Sequence, residues 1–150
     1  MSTGNTFSLA MLNHLLMNAT VPNVGDATGL NASTGAGSLF VSLHTADPGS
    51  AGTQATNEVV YTGYARSAVT RASGQWTTGN GASDATFSNA NAVTFGQDTA
   101  GTPVITYFAI GTATSGAGEL IASGALSASL TMAVGITPSF AAGQLSGTFG

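Results

Sequence analysis

The alternation of apolar and polar residues predicts β-structure over most of this chain. The segment SLFVSLH (38–44) places aliphatic residues at every second position, and ALSASLTMAVG (125–135) does so more regularly, with Ser or Thr on the opposite face. A period of two residues marks a strand, and this pattern is typical of a sheet with one solvated face. Further strand-like runs are VVYTGYARSAVTR (59–71, one long strand with a bulge at Gly63), QWTT (75–78), ATFS (85–88), AVTFG (92–96) and PVITYFAIGT (103–112).

About eight short strands separated by Gly-rich turns predict a mainly β fold, a β-sandwich or jelly roll, with a short N-terminal α-helix. In PVITYFAIGT we expect Val104, Thr106, Phe108 and Ile110 on one face of their strand. The final apolar group, from Ile136 to Phe140, closes the domain. No strand is predicted after it.

The N-terminal segment follows a helical period instead. Its apolar stripe consists of Phe7, Met11, Leu12, Leu15 and Leu16. These positions share one helix face, with Asn5 or Thr6 as the cap and Pro22 as the stop. The stripe needs a partner surface, either its own core or another subunit. We therefore retain all five residues, together with Trp76, as interface candidates, although Trp76 suits a core anchor equally well.

A Gly/Ser/Thr/Asn-rich stretch, NVGDATGLNASTGAG (23–37), separates this helix from the first strand. It is long for a loop in a compact domain, and such loops tend to be functional or to lie over a neighbour. We divide the chain into a helix and arm, residues 1–37, and a β-sandwich body, residues 38–150, within one structural domain.

Composition excludes several classes of function. Of 150 residues 43% are hydrophobic but only 5% are charged, and the formal net charge is −4. The only cations are Arg66 and Arg71, so nucleic-acid binding is not expected. There is no cysteine, and two histidines make a transition-metal site improbable. We expect no cofactor, no membrane segment, and no signal peptide, because the apolar N-terminal stretch lacks a positive flank.

His44 and Asp47 in LHTADPG (43–49) are the residues that most suggest chemistry. A general base needs a positioned partner and a nucleophile. However, Asp before Pro-Gly is also what a turn requires, and His44 then only ends a strand. Glu58 and Arg66 are expected to form a structural ion pair. A carbohydrate-active enzyme would need two carboxylates across a cleft, and no pair stands out. We expect no enzyme activity.

The run GSLFVSLHTADPGSAGTQATNEVVYTGYAR (37–66), with LNHLLMNATVPNVGDATGL (12–30) before it and GITPSFAAGQL (135–145) near the end, resembles a family of small virion proteins of tailed bacteriophages. Members are often labelled tail fibre proteins. The resemblance implies a non-enzymatic structural component of the virion. Because no signal peptide is expected, we expect assembly in the host cytoplasm.

Two virion roles compete. A capsid decoration (cement) protein is the first expectation, because no repetitive or coiled-coil shaft is visible; its partners would be the major capsid protein and copies of itself, as a dimer or trimer. The alternative is a tail fibre or receptor-binding component. Exposed Tyr61, Tyr64 and Trp76 forming a groove for a host-surface glycan would favour that alternative.

Overall fold

Nine strands and one helix account for the regular structure in residues 3–150, which are the residues the computed structural model describes. The elements are α1 (Asn5–Met17), β1 (Ser38–His44), β2 (Ser67–Thr70), β3 (Trp76–Asn80), β4 (Ala85–Asn89), β5 (Val93–Thr94), β6 (Val104–Gly111), β7 (Leu120–Thr131), β8 (Ser139–Phe140) and β9 (Ser146–Phe149). The prediction of a mainly β, sandwich-like fold with a short N-terminal helix is confirmed.

The strands form three antiparallel sheets. Their orders are β2-β1-β6-β7, β3-β4-β9 and β5-β8. A single apolar core lies between them, and its most enclosed side chains include Val41 and Leu43 of β1 and Ile105, Phe108 and Ile110 of β6. The alternation in β1 thus directs its aliphatic residues into the core, as predicted.

Helix α1 packs against the three-stranded sheet. It begins one residue after Gly4, which occupies the cap position without a side-chain hydrogen bond, so the expected caps Asn5 and Thr6 are wrong: both lie inside the helix. It ends at Met17, and Asn18 takes a left-handed conformation there. Arg71 donates from Nε to Leu15 O and from Nη2 to His14 O, both at 2.6 Å. Its positive charge therefore satisfies carbonyls at the negative end of the helix.

The stretch 23–37 is folded against the helix. Val21 and Leu30 form an antiparallel bridge that closes the loop between them. The side-chain amide of Asn18 exchanges two hydrogen bonds with the backbone of Ser33. The carboxylate of Asp26 accepts hydrogen bonds from Thr28 and Gly29 in a turn, and these bonds lower the pKa of the Asp26 carboxyl group. Residues 1 and 2 of the predicted helix-and-arm segment lie outside the described residues.

The predicted single long strand over 59–71 is wrong, because the strand is interrupted by a turn at Gly63. This residue has φ +103°, and a Cβ atom there would lie 2.1 Å from the carbonyl oxygen of Gln97. Only Ser67–Thr70 pairs regularly with β1. The residues before it turn away to cross the 96–100 segment, where Thr62 bridges Ala100.

Two features of the strands differ from the sequence prediction. A register shift lies between Ile105 and Tyr107, and Ile105, rather than Val104 or Thr106, is in the core with Phe108. Strand β9 (SGTF) carries no hydrophobic alternation, yet it pairs with β4. Gly147 allows the ring of Phe87 to approach, since a Cβ there would lie 2.8 Å from Phe87 Cζ.

Candidate functional site: the polar corner beside strand β1

The face of β1 opposite the core carries a cluster of bonded polar side chains, which we call the polar corner. Its members are Ser42, His44, Gln54, Glu58, Tyr64 and Arg66. The chain returns over β1 after the LHTADPG turn, and Glu58 forms a bridge with His44. This return covers the face that the alternation would otherwise leave in water.

Ser42 and His44 have the geometry of a nucleophile and its base. Ser42 Oγ lies 2.9 Å from His44 Nε2, and His44 Nδ1 lies 2.9 Å from the carbonyl oxygen of Thr56. Since a carbonyl only accepts, Nδ1 carries the proton and Nε2 accepts from the serine hydroxyl. Burial lowers the pKa of His44, which keeps the ring neutral. In an open site, this arrangement would activate a serine.

Access decides the role of this pair. Both Ser42 and His44 are completely buried, so no substrate carbonyl can approach Ser42 Oγ without unfolding the strand. The pair satisfies two polar groups inside the fold, as buried polar groups require.

Asp47 was considered with His44 in the sequence as a candidate for chemistry. In the structure it is separate from the Ser42–His44 pair and has a structural role in the turn. Its carboxylate accepts from the backbone N–H of Gly49 at 2.9 Å, and Gly49 has φ +71°. This is the turn chemistry expected of Asp-Pro-Gly. Asn57 donates to the carbonyl oxygen of Asp47 at 2.9 Å, which ties the turn to the returning chain.

The predicted ion pair between Glu58 and Arg66 is confirmed, and it is bidentate. Arg66 Nε and Nη2 each donate to one Glu58 oxygen at 2.7 Å. The remaining guanidinium donors bond Gln54 Oε1, Ala113 O and Gly116 O. Arg66 thereby fixes the loop after β6, and its hydrogen bonds to Glu58 raise the pKa of the guanidinium.

Tyr64 completes the corner. Its hydroxyl donates to Glu58 Oε1 at 2.9 Å and accepts from the backbone N–H of Leu43 at 3.1 Å. Burial strongly raises the pKa of this phenol. The ring lies 5.3 Å from the ring of Tyr61, whose hydroxyl donates to Gly96 O; burial, with the nearby charge of Asp98, raises the Tyr61 pKa as well.

The six interface candidates divide into two groups. Leu12, Leu16 and Trp76 are core residues of this chain, so their side chains offer no surface to a partner. Phe7 is 47% exposed, and Met11 and Leu15 are half-buried beside it on the helix. Trp76 therefore forms no groove with Tyr61 and Tyr64. It packs edge-on against Phe87 at 6.5 Å.

Two further observations concern charged groups. Residues 3–150 contain no group of three His, Asp or Glu side chains placed to hold a metal ion. Asp98 is fully buried, and neither carboxylate oxygen has a hydrogen-bond partner among the described residues. No pattern in the residues around Asp98 predicts this isolated carboxylate. Within residues 3–150 no helix has the length and apolar character needed to span a bilayer.

Comparison with known proteins adds the identity of the family. No curated protein matches the chain. The family model described as Podophage GP4 fiber I protein gp80 matches residues 3–148, which includes the whole polar corner and all the strands except the last residue of β9. This agrees with the resemblance to phage virion proteins at the coarser level of a virion protein family. The chain belongs to the Podophage GP4 fiber I protein gp80 family and is a fibre-type structural protein of a phage virion.

Proposed function

We propose that this chain is a non-enzymatic folded module of a virion fibre that contacts other virion proteins through uncharged surfaces. The observation that carries the non-enzymatic part is the burial of the Ser42–His44 pair. It has the geometry of a catalytic pair, and no substrate can reach it.

The use of the two arginines supports uncharged contacts. Arg66 is bonded to Glu58 and to two loop carbonyls, and Arg71 is bonded to carbonyls of α1. Arg66 has no N–H left for a partner, and each guanidinium nitrogen of the half-buried Arg71 already donates a bond within the chain, so the side chains of residues 3–150 offer little cationic surface for ion pairs to an acidic partner. The half-exposed row of Phe7, Met11 and Leu15 is then the best candidate for contact with a neighbouring virion protein or another copy.

A capsid decoration protein, the first expectation from the sequence, is the second candidate. It shares the compact β-fold and the charge-poor surface, and its partners would be the major capsid protein and copies of itself. Membership of a fibre family favours the fibre over this role.

The test is location and copy number on intact virions. Quantitative mass spectrometry against the major capsid protein gives the copy number, and gold-labelled antibodies against this chain give its position by electron microscopy. A few copies up to a few tens, with gold on fibres, would support the proposal. A copy number approaching that of the capsid protein, with gold spread over the head, would replace it with the decoration role.

A further inference from the structure

A surface cleft of about 490 Å³ lies over the polar corner. That volume is within the range of small-molecule sites. The ion pair of Glu58 and Arg66 lies on its floor, and the loop of Thr114 and Ser115 forms one rim. A mostly apolar cleft with a few converging polar groups is the ordinary form of a ligand site.

The free hydrogen-bonding capacity of the floor restricts the ligand. Every donor of Arg66 is already used, by Glu58, Gln54 and two carbonyls. The carboxylate of Glu58 accepts three bonds, two at Oε1 and one at Oε2, which leaves one acceptor position at Oε2. The floor therefore offers an acceptor and no free cationic donor, so it is unsuited to an anion.

Part of the cleft lining is apolar. Val60, which is 83% exposed, lines the cleft together with Ala55, Ala65 and Tyr61. A ligand that fits must present an apolar face to this wall and hydroxyl groups to Glu58 and to the exposed rim residues Thr114 and Ser115.

We propose that this cleft binds a neutral saccharide unit, with one ring hydroxyl donating to Glu58 Oε2 and the C–H face of the ring against Val60 and Tyr61. A pyranose ring combines an apolar face with a hydroxyl edge, which matches the mixed apolar and polar lining of the cleft. Acidic sugars are rejected, because their carboxylate would lie near the Glu58 carboxylate with no cation free to compensate. The assignment does not depend on where in the virion the chain lies.

Saturation-transfer NMR on the full chain tests the proposal directly. The probes are glucose, galactose, mannose, rhamnose and N-acetylglucosamine, with glucuronic acid and N-acetylneuraminic acid as their acidic counterparts. We expect transfer to at least one neutral sugar and none to the acidic pair. Val60→Arg places a long side chain across the mouth of the cleft, and we expect it to lower the transfer at least about tenfold.

Val134→Arg is the matched control, because Val134 is also highly exposed, at 72%, and does not line the cleft. It should change the transfer by less than about twofold. The proposal is overturned if no neutral sugar shows transfer, if the acidic sugars bind equally well, or if Val60→Arg and Val134→Arg behave alike. Far-ultraviolet circular dichroism confirms that both variants fold.

Discussion

The polar corner and strand β7 show two ways of fixing β-structure in a chain that has very little charge. In the corner, the buried Arg66 is bonded to the half-buried Glu58, and Arg66 also donates to the backbone carbonyls of Ala113 and Gly116. Strand β7 contains no charged residue and no proline, and none of its residues is fully buried. One region is defined by directional polar contacts, and the other by partial burial of aliphatic side chains.

This difference shows where charge is used. Fully bonded polar groups in a low-dielectric environment restrict the chain to one arrangement, and removing a partner is costly. Half-buried aliphatic contacts restrict it less, and β7 accordingly accommodates two register irregularities against β6. Such irregularities bend an exposed edge and reduce its capacity to pair with other strands. The predictions below test this contrast in order of decreasing effect.

Arg66→Met should destabilise the protein most. It leaves the half-buried Glu58 carboxylate without its cation and removes the donors to Ala113 and Gly116, so we expect a loss of about 3–4 kcal/mol from the two effects together. Equilibrium unfolding in urea measures it. The double variant Glu58→Leu/Arg66→Met should recover part of the loss, because the uncompensated charge is gone. A loss below about 1 kcal/mol for the single variant would mean that the corner does not hold the loops.

Gly63→Ala tests the backbone crossing beside the corner. The new Cβ would meet the Gln97 carbonyl at 2.1 Å with φ at +103°, and we expect a loss of about 3 kcal/mol from strain and overpacking together. Gly74→Ala is the control, since φ is +88° there and nothing lies within 4 Å. It should cost only about 1–2 kcal/mol. Equal losses in thermal unfolding would show that the close approach has no energetic weight.

The contrast also explains what could be predicted from the sequence. Periodicity predicts β1, the β3–β4 hairpin and the helix, because in those elements side-chain burial follows the local pattern. Periodicity did not predict the interruption at Gly63, where the backbone lies close to the carbonyl of Gln97. It also did not predict β9, where Gly147 lies against the ring of Phe87. The Glu58–Arg66 pair could be predicted, because the chain has so few charged residues. The burial of Ser42 and His44 was not, because the chain that returns after the LHTADPG turn covers that face of β1, and the alternation within the strand does not show this.

Acidification should weaken the corner through His44. Burial lowers the pKa of His44 in the folded protein, so the unfolded chain binds its proton near pH 6.5, before the folded protein does. Stability therefore falls as the pH drops from 7.5 to 5.5, by at most about 1.4 kcal/mol per pH unit. Urea unfolding at several pH values measures this slope, and His44→Gln should flatten it. An unchanged slope in that variant would assign the effect to other groups.

The smallest effect is expected in β7. The same Ser→Ala substitution, made once in the polar corner and once in β7, compares the two regions. Ser42→Ala leaves His44 Nε2 buried without its donor, and we expect a cost of about 1–3 kcal/mol. Ser127→Ala removes the same hydroxyl from an exposed position and should change the unfolding free energy by less than about 0.5 kcal/mol. Urea unfolding of the two variants side by side measures both. A cost above 1 kcal/mol for Ser127→Ala would show that the outer row of β7 is bonded in solution, and the strand would then be held by directional contacts like the corner.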